Sequence, residues 1–410
     1  MKGIFNQAVW AVLFKLCTAL FLFLISGLLY RYYSLYDYGR WAFSFGLLPL
    51  FLFFDFGVGY WLQNQFCRKN FSITNRHFTY GVVVLFLLGV IFSFIVCGIY
   101  YVFFEDYIEV LFVVIFCCFS GVINIGDRVY ASVSKNQVIE LQQAIIYSVF
   151  FIVLFILTYF FEYIRIQLLI LFFILLYITV KLLFLFLLFS SNIVRFSALN
   201  LKSLKKFFVL SLYRGRSFFA AQVTSIMFYN IDRLMITFLL GVSVFAVYEP
   251  VYRYFSLVIT LSMVVLRPFW AELAKSDSKD VRTIKTVIRT SFMYCGVLTA
   301  FVFVMALVSP VILEYWLGHN FVFDLKVVAY TSIYVVCCIF IVLACYLTNG
   351  LRLQKIQFST FIFGTSIKLI GVTCLYVYGA ISLSNTLLIS IFSAIMSVVY
   401  ILKRSKILND

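Results

Sequence analysis

The chain has 410 residues, 64% of them apolar and only 12% charged, against about 25% charged in an ordinary soluble domain. That balance excludes a water-facing surface over most of the chain and leaves no stretch for a separate soluble domain. A formal net charge of +16 has its first explanation in membrane topology, ahead of nucleic-acid binding.

Crossing about 30 Å of hydrocarbon takes roughly 20 helical residues, and only helices or closed barrels satisfy their backbone groups there. The apolar runs are continuous rather than alternating, which selects helices. Twelve spans are predicted, at residues 8 to 30, 38 to 65, 79 to 103, 107 to 131, 138 to 161, 166 to 189, 216 to 240, 244 to 271, 288 to 313, 325 to 349, 356 to 378 and 380 to 403. The first begins like a secretory signal at Lys2. Lys15 interrupts it, no small-residue cleavage site follows, and further spans come at once, so it reads as an uncleaved helix. Nine of the ten cysteines sit inside apolar spans with no CxxC pair, and they read as small core residues.

Lys and Arg concentrate in the even-numbered connections and at the termini. Arg68, Lys69 and Arg76 follow span two, Arg195, Lys202, Lys205, Lys206, Arg214 and Arg216 follow span six, and Lys275, Lys279, Arg282, Lys285 and Arg289 follow span eight. Odd connections carry instead Glu105, Asp106, Glu162, Glu314 and Asp324. Basic residues stay on the cytoplasmic side, so both termini are expected there. A reporter fused after Lys205 should therefore read cytoplasmic, and an external reading would overturn this orientation.

At an offset of 212 residues Tyr36 aligns with Tyr248, Asp37 with Glu249, Ser44 with Ser256 and Asp55 with Arg267. Six spans separate the copies, so they enter with the same orientation, a parallel repeat about an axis along the membrane normal. The predicted fold class is an all-α membrane protein of about 12 transmembrane helices in two parallel six-helix lobes, residues 1 to 200 and 201 to 410, around a central cavity. The segments LYDYGRW leading to FFDFGVGYWLQNQF, and FYNIDRLMI leading to VYEPVYRYFSL and RPFWAELA, resemble the O-antigen and polysaccharide flippases. Those belong to the superfamily that includes the lipid II flippase and the multidrug and toxin exporters. The resemblance implies a non-enzymatic transporter that moves an undecaprenyl-pyrophosphate-linked oligosaccharide from the inner to the outer leaflet by alternating access, one lobe rocking against the other. Its partners would be the lipid-linked glycan, membrane lipids and other polysaccharide assembly proteins, with no nucleic acid. First, second, seventh and eighth helices would line the cavity.

Ionisable groups inside spans are costly and mark functional candidates. Seven cations, Lys15, Arg40, Lys181, Arg233, Arg253, Arg267 and Lys368, face three acids, Asp55, Asp232 and Glu249, a surplus of +4. Lys15, Arg233, Arg253 and Lys368 are the expected ladder of cations for a lipid pyrophosphate, with Tyr229 and Tyr252 for sugars. Asp55, Asp232 and Glu249 are expected to be coupling acids or ion-pair partners, Glu249 and Arg253 being spaced i and i+4. Arg40 and Arg267 are expected to snorkel to the interfaces. If these four side chains point into lipid, or are each fully paired with acids inside one lobe, the cavity reading fails.

Two other functions fit a polytopic chain. A membrane glycosyltransferase or polysaccharide polymerase would need a large outer loop, whereas the longest odd connection has about 11 residues around His319. A small-molecule exporter for organic cations would present acids rather than a cationic excess. His77 and His319 lie on opposite sides, no metal-ligand cluster or nucleotide motif occurs, and no cofactor or metal is expected.

Overall fold

The structure, a computed structural model, describes residues 2–51, 55–66, 71–103, 108–133, 135–161, 164–191, 193–275, 281–318, 321, 323–351 and 353–405. Its helices in chain order are α1 Lys2–Tyr32, α2 Leu35–Phe51, α3 Val58–Phe66, α4 Phe71–Phe103, α5 Ile108–Cys118, α6 Ser120–Ile123, α7 Ile125–Ser132 and α8 Asn136–Phe160, then α9 Ile166–Ser190, α10 Leu201–Leu240, α11 Val242–Lys275, α12 Val281–Leu317, α13 Leu325–Gly350, α14 Gln354–Val377 and α15 Leu383–Ser405. Ten of the described helices are long and apolar enough to cross a membrane, and α5 with the α6–α7 stretch, bent by 52°, makes an eleventh. The chain is an all-α, multi-pass membrane protein.

Three predicted spans are modified, each for a local reason. The second, 38 to 65, falls on α2 and α3, each too short to cross alone. The helix breaks around Asp55, where Phe56 and Gly57 both take positive φ, 51° and 71°. The fourth breaks at Phe119 and again at Asn124. The seventh starts earlier than expected, because the Asn200 side chain accepts from the backbone N–H groups of Lys202 at 3.0 Å and Ser203 at 3.3 Å and caps a helix there. The resulting α10 has 40 residues, roughly 60 Å, so its basic first turns extend beyond the hydrocarbon. Pro250 lies within an unbroken α11.

The chain divides into two compact units, residues 1–28 with 40–223, and residues 29–39 with 224–410. The division lies inside α10 rather than at 200/201, and the turn between α1 and α2 belongs with the second unit. In the first unit α3 packs on α4 and α7, α5 on α4 and α9, and α8 on α9. In the second, α13 packs on α11, α12 and α15, and α14 packs on α15.

Lipid inverts the usual sorting of side chains. Val297, Phe301, Val304, Val308, Val311 and Tyr315 recur every three or four residues along α12 and are all exposed, Val311 by 73%. That stripe is solvated by acyl chains. On α15 the buried face is instead small and polar, with Thr386, Ser390, Ser393 and Ser397 enclosed, and Ser393 donates to the Gly364 carbonyl of α14 at 2.7 Å. Small residues let helices approach closely where no hydrophobic force drives them together.

Gly57 is tied to its position twice. Its φ is positive, and a methyl group there would fall on the Gly215 carbonyl oxygen of α10. Gly57→Ala is expected to cost at least about 1–3 kcal/mol from the backbone alone, read as a lower melting temperature of the purified protein. Unchanged melting would contradict the described break.

Candidate functional site

Nearly every cation flagged in a span meets an acid in its own unit. In the first unit, the Lys15 ammonium lies 3.3 Å from Glu140 and donates to Gln143 at 3.4 Å. Arg40 forks onto Glu109 at 2.6 and 2.8 Å, with Glu109 fully enclosed. Arg40 therefore does not snorkel; it is half of a two-pronged ion pair between α2 and α5. Lys181 on α9 reaches Asp127 on α7 at 2.6 Å, and one turn before it Tyr177 donates to Asn124 at 2.8 Å. Those two contacts pin the bent α6–α7 stretch. Asp55 accepts from the Gly57 N–H at 2.8 Å and stands 3.5 Å from Arg128. The Arg267 side chain lies outside the described residues.

In the second unit one pair of adjacent residues serves two clusters. Asp232 and Arg233 are consecutive on α10, so their side chains leave the helix about 100° apart. Asp232 turns toward α13, α14 and α15. Its Oδ2 accepts from the Lys368 ammonium at 2.6 Å and the Tyr334 hydroxyl at 3.0 Å, while Oδ1 accepts from Ser390 at 2.6 Å. Lys368 also donates to the Phe228 carbonyl at 2.8 Å and to the Tyr334 hydroxyl at 2.9 Å. An ammonium has three donors, and these three oxygens use them all. Lys368 is fully enclosed, so its expected place on a substrate ladder does not hold: it is the internal counter-ion of Asp232.

Arg233 turns the other way, toward α11. There Glu249 and Arg253 stand i and i+4 on one face, and both Nε and Nη2 of Arg253 donate to Glu249 Oε1, at 3.0 and 2.6 Å. The Arg233 Nη2 comes within 3.8 Å of the other oxygen, Oε2, close enough for attraction but too far for a hydrogen bond. Arg233 lies over the Tyr252 ring at 4.9 Å, and Tyr252 neighbours the Tyr248 ring at 5.7 Å. Tyr229 packs instead on Phe228 and Phe361. Glu249 is completely buried, whereas the side chains of Arg233 and Arg253 keep 18% and 15% exposure. Two guanidinium groups thus share one carboxylate, leaving one positive charge. Among the described residues, Arg233 Nε and Glu249 Oε2 are buried without a hydrogen-bond partner.

The three expected cations of the second unit are not one cluster. Lys15 pairs in the first unit, Lys368 closes on Asp232, and only Arg233 and Arg253 meet. Sequence reasoning passed over Glu109, Asp127, Arg128 and Glu140 because they fall near the ends of predicted spans, and Tyr334 and Ser390 because a hydroxyl carries no charge signal.

No family model matches the chain, and no curated protein matches it in sequence. Solved structures do match over nearly its whole length. An inward-facing MATE family multidrug resistance transporter of the MOP superfamily is similar with a TM-score of 0.71 at 12% identity, covering 98% of this chain and 99% of that one. The lipid II flippase MurJ, in an inward closed conformation, gives 0.71 at 14% identity over 98% and 87%. A MOP superfamily transporter from Pyrococcus furiosus, described as having a binding pocket of reverse polarity that suggests a different function, gives 0.61 at 12% identity over 98% and 95%. The chain has the fold of the MOP superfamily transporters.

Proposed function

We propose that this protein is a flippase that moves a lipid-pyrophosphate-linked oligosaccharide from the inner to the outer leaflet of a bacterial plasma membrane by alternating access. The observation that carries this reading is the uneven sharing of Glu249 by Arg233 and Arg253. An incompletely hydrogen-bonded ion inside a membrane protein is expensive unless something completes it. A phosphate oxygen accepts from guanidinium, and a sugar hydroxyl can accept from Arg233 Nε while donating to Glu249 Oε2. Few ligands offer both. Tyr252, under Arg233, is the aromatic ring proposed for the apolar face of a sugar, and Tyr229, four residues before Arg233 on α10, is proposed for the same role. Lys15 is partly exposed beside Glu140 and Gln143 in the first unit. Asp55 is the most loosely held of the three expected coupling acids, since Asp232 and Glu249 are tied to cations at 2.6 Å and Asp55 stands 3.5 Å from Arg128.

An exporter of organic cations is the competing reading. It would need an acid with no counter-ion of its own, and here Asp232 and Glu249 each hold a cation of the protein at 2.6 Å. Quenching of intrinsic fluorescence in the purified protein separates the two readings. Polyprenyl pyrophosphate should bind more tightly than the uncharged polyprenol, with tetraphenylphosphonium weaker than both. Tighter binding of the organic cation would reject the flippase reading.

A further inference from the structure

We infer that the first four turns of α10 form a docking surface for a partner protein that presents an acidic helix with an apolar centre. The surface is built by the first unit alone and stands without the transport reading. Residues 201–216 precede the apolar stretch of α10, which begins at Gln222, and they have two contrasting faces. Phe207, Ser211 and Gly215 are buried, Phe207 in the aromatic core of the first unit beside Trp61 and Tyr80. On the other side Lys202, Lys205, Lys206, Val209, Tyr213 and Arg216 fall within an arc of about 100°. A cavity of about 610 Å³ follows that arc, lined by its first five residues and Leu210.

Retention of basic residues on one side of the membrane accounts for the lysines, but not for the apolar side chains among them. Val209, Leu210 and Tyr213 are 61%, 40% and 59% exposed at a level beyond the hydrocarbon, where acyl chains do not cover them. Exposed apolar groups rimmed by charge mark protein interfaces, and Tyr and Arg are frequent anchors there. The charges stand at both ends of the apolar centre. Lys202, Lys205 and Lys206 come before it, and Arg214 and Arg216 at its far end, Arg216 lying 4.3 Å over the Tyr213 ring. Among the described residues no ion pair engages these five cations. A ligand with one anionic end would leave the other end unmatched, and a flexible polyanion would leave the centre bare. A helix with acids at both ends of an apolar face matches all three parts, over the roughly 21 Å from Lys202 to Arg216. No segment of this chain is such a helix. A second copy would present the same positive face, and the acids after span eight, Glu272, Asp277 and Asp280, alternate with Lys275, Lys279 and Arg282.

Fluorescence anisotropy with the full-length protein in nanodiscs of neutral lipid tests the proposal. The probe is a labelled synthetic helix of about 16 residues, with glutamates at both ends and leucines along one face between them. Wild type is expected to bind it about tenfold or more tightly than an oligoglutamate of equal charge or a short RNA. The combined variant Lys202→Gln, Lys205→Gln, Lys206→Gln, and separately Val209→Ser with Leu210→Ser, should each weaken the peptide about tenfold. The serine variant should leave oligoglutamate binding unchanged. All five side chains are exposed, so both variants are expected to keep the wild-type melting temperature, measured alongside. No binding of the peptide by wild type, or equally tight binding of oligoglutamate, would overturn the proposal and leave the lysines as a topology signal. Tighter binding of the RNA would also overturn it, assigning the surface to nucleic acid.

Discussion

Lys368→Met is expected to lose most folded protein, although the substitution is apolar and sits in an apolar helix. Removing the ammonium strips Asp232 of its counter-charge while leaving the carboxylate enclosed, and unpairing one side of a buried ion pair costs about 3–5 kcal/mol. Total stabilities run to only about 5–15 kcal/mol. The freed Tyr334 hydroxyl and Phe228 carbonyl, both bonded to the ammonium, add to the loss. Adding Asp232→Asn should recover much of it, because the amide oxygen still accepts from Ser390, the amide NH2 can donate to the Tyr334 hydroxyl, and no ion remains unpaired. The measurement is the yield of monodisperse protein and its melting temperature for the single and double variants. Wild-type melting by Lys368→Met would show that the network does not hold α10, α13, α14 and α15 together.

Arg233→Gln is expected to behave in the opposite way, folding normally but transporting poorly. Glu249 keeps both hydrogen bonds from Arg253 in that variant, so no buried charge is orphaned within the unit. What is lost is a charge-assisted contact to the headgroup, worth about 1.5–3 kcal/mol, or roughly 10- to 150-fold in affinity. Arg253→Gln should fail on both counts, since it leaves Glu249 with only Arg233 at 3.8 Å. Melting temperature and glycan export measured together on the two variants distinguish a ligand-facing cation from a structural one. Equal destabilisation by both would make Arg233 structural.

The contrast between Lys368 and Arg233 shows what could be read from residues alone. Continuous apolar runs, the basic even-numbered connections and the spacing of Glu249 and Arg253 are local patterns, and each is visible within one helix. Lys368 and Asp232 were both conspicuous as charges in spans, but they are 136 residues apart, and no helical periodicity relates them. The apparent surplus of cations had the same origin. Lys15, Arg40 and Lys181 seemed unpaired because Glu140, Glu109 and Asp127 sit near span ends, where an acid is ordinarily taken to face water. The break at Asp55 leaves no trace in the apolar run of span two, and the positive φ of Phe56 goes with ring contacts to Phe92 and Phe219, residues distant in sequence. Asn200 was overlooked as a cap because Lys202, Lys205 and Lys206 interrupt the apolar residues after it.

The most direct test of the proposed function is a flipping assay in proteoliposomes loaded with a fluorescent lipid-pyrophosphate oligosaccharide, scored by access of a membrane-impermeant quencher. Wild-type protein is expected to expose the glycan on the opposite leaflet, and Arg233→Gln of unchanged melting temperature to slow this about tenfold or more. Undiminished flipping by Arg233→Gln, or no flipping by wild type in vesicles where it transports an organic cation, would contradict the account.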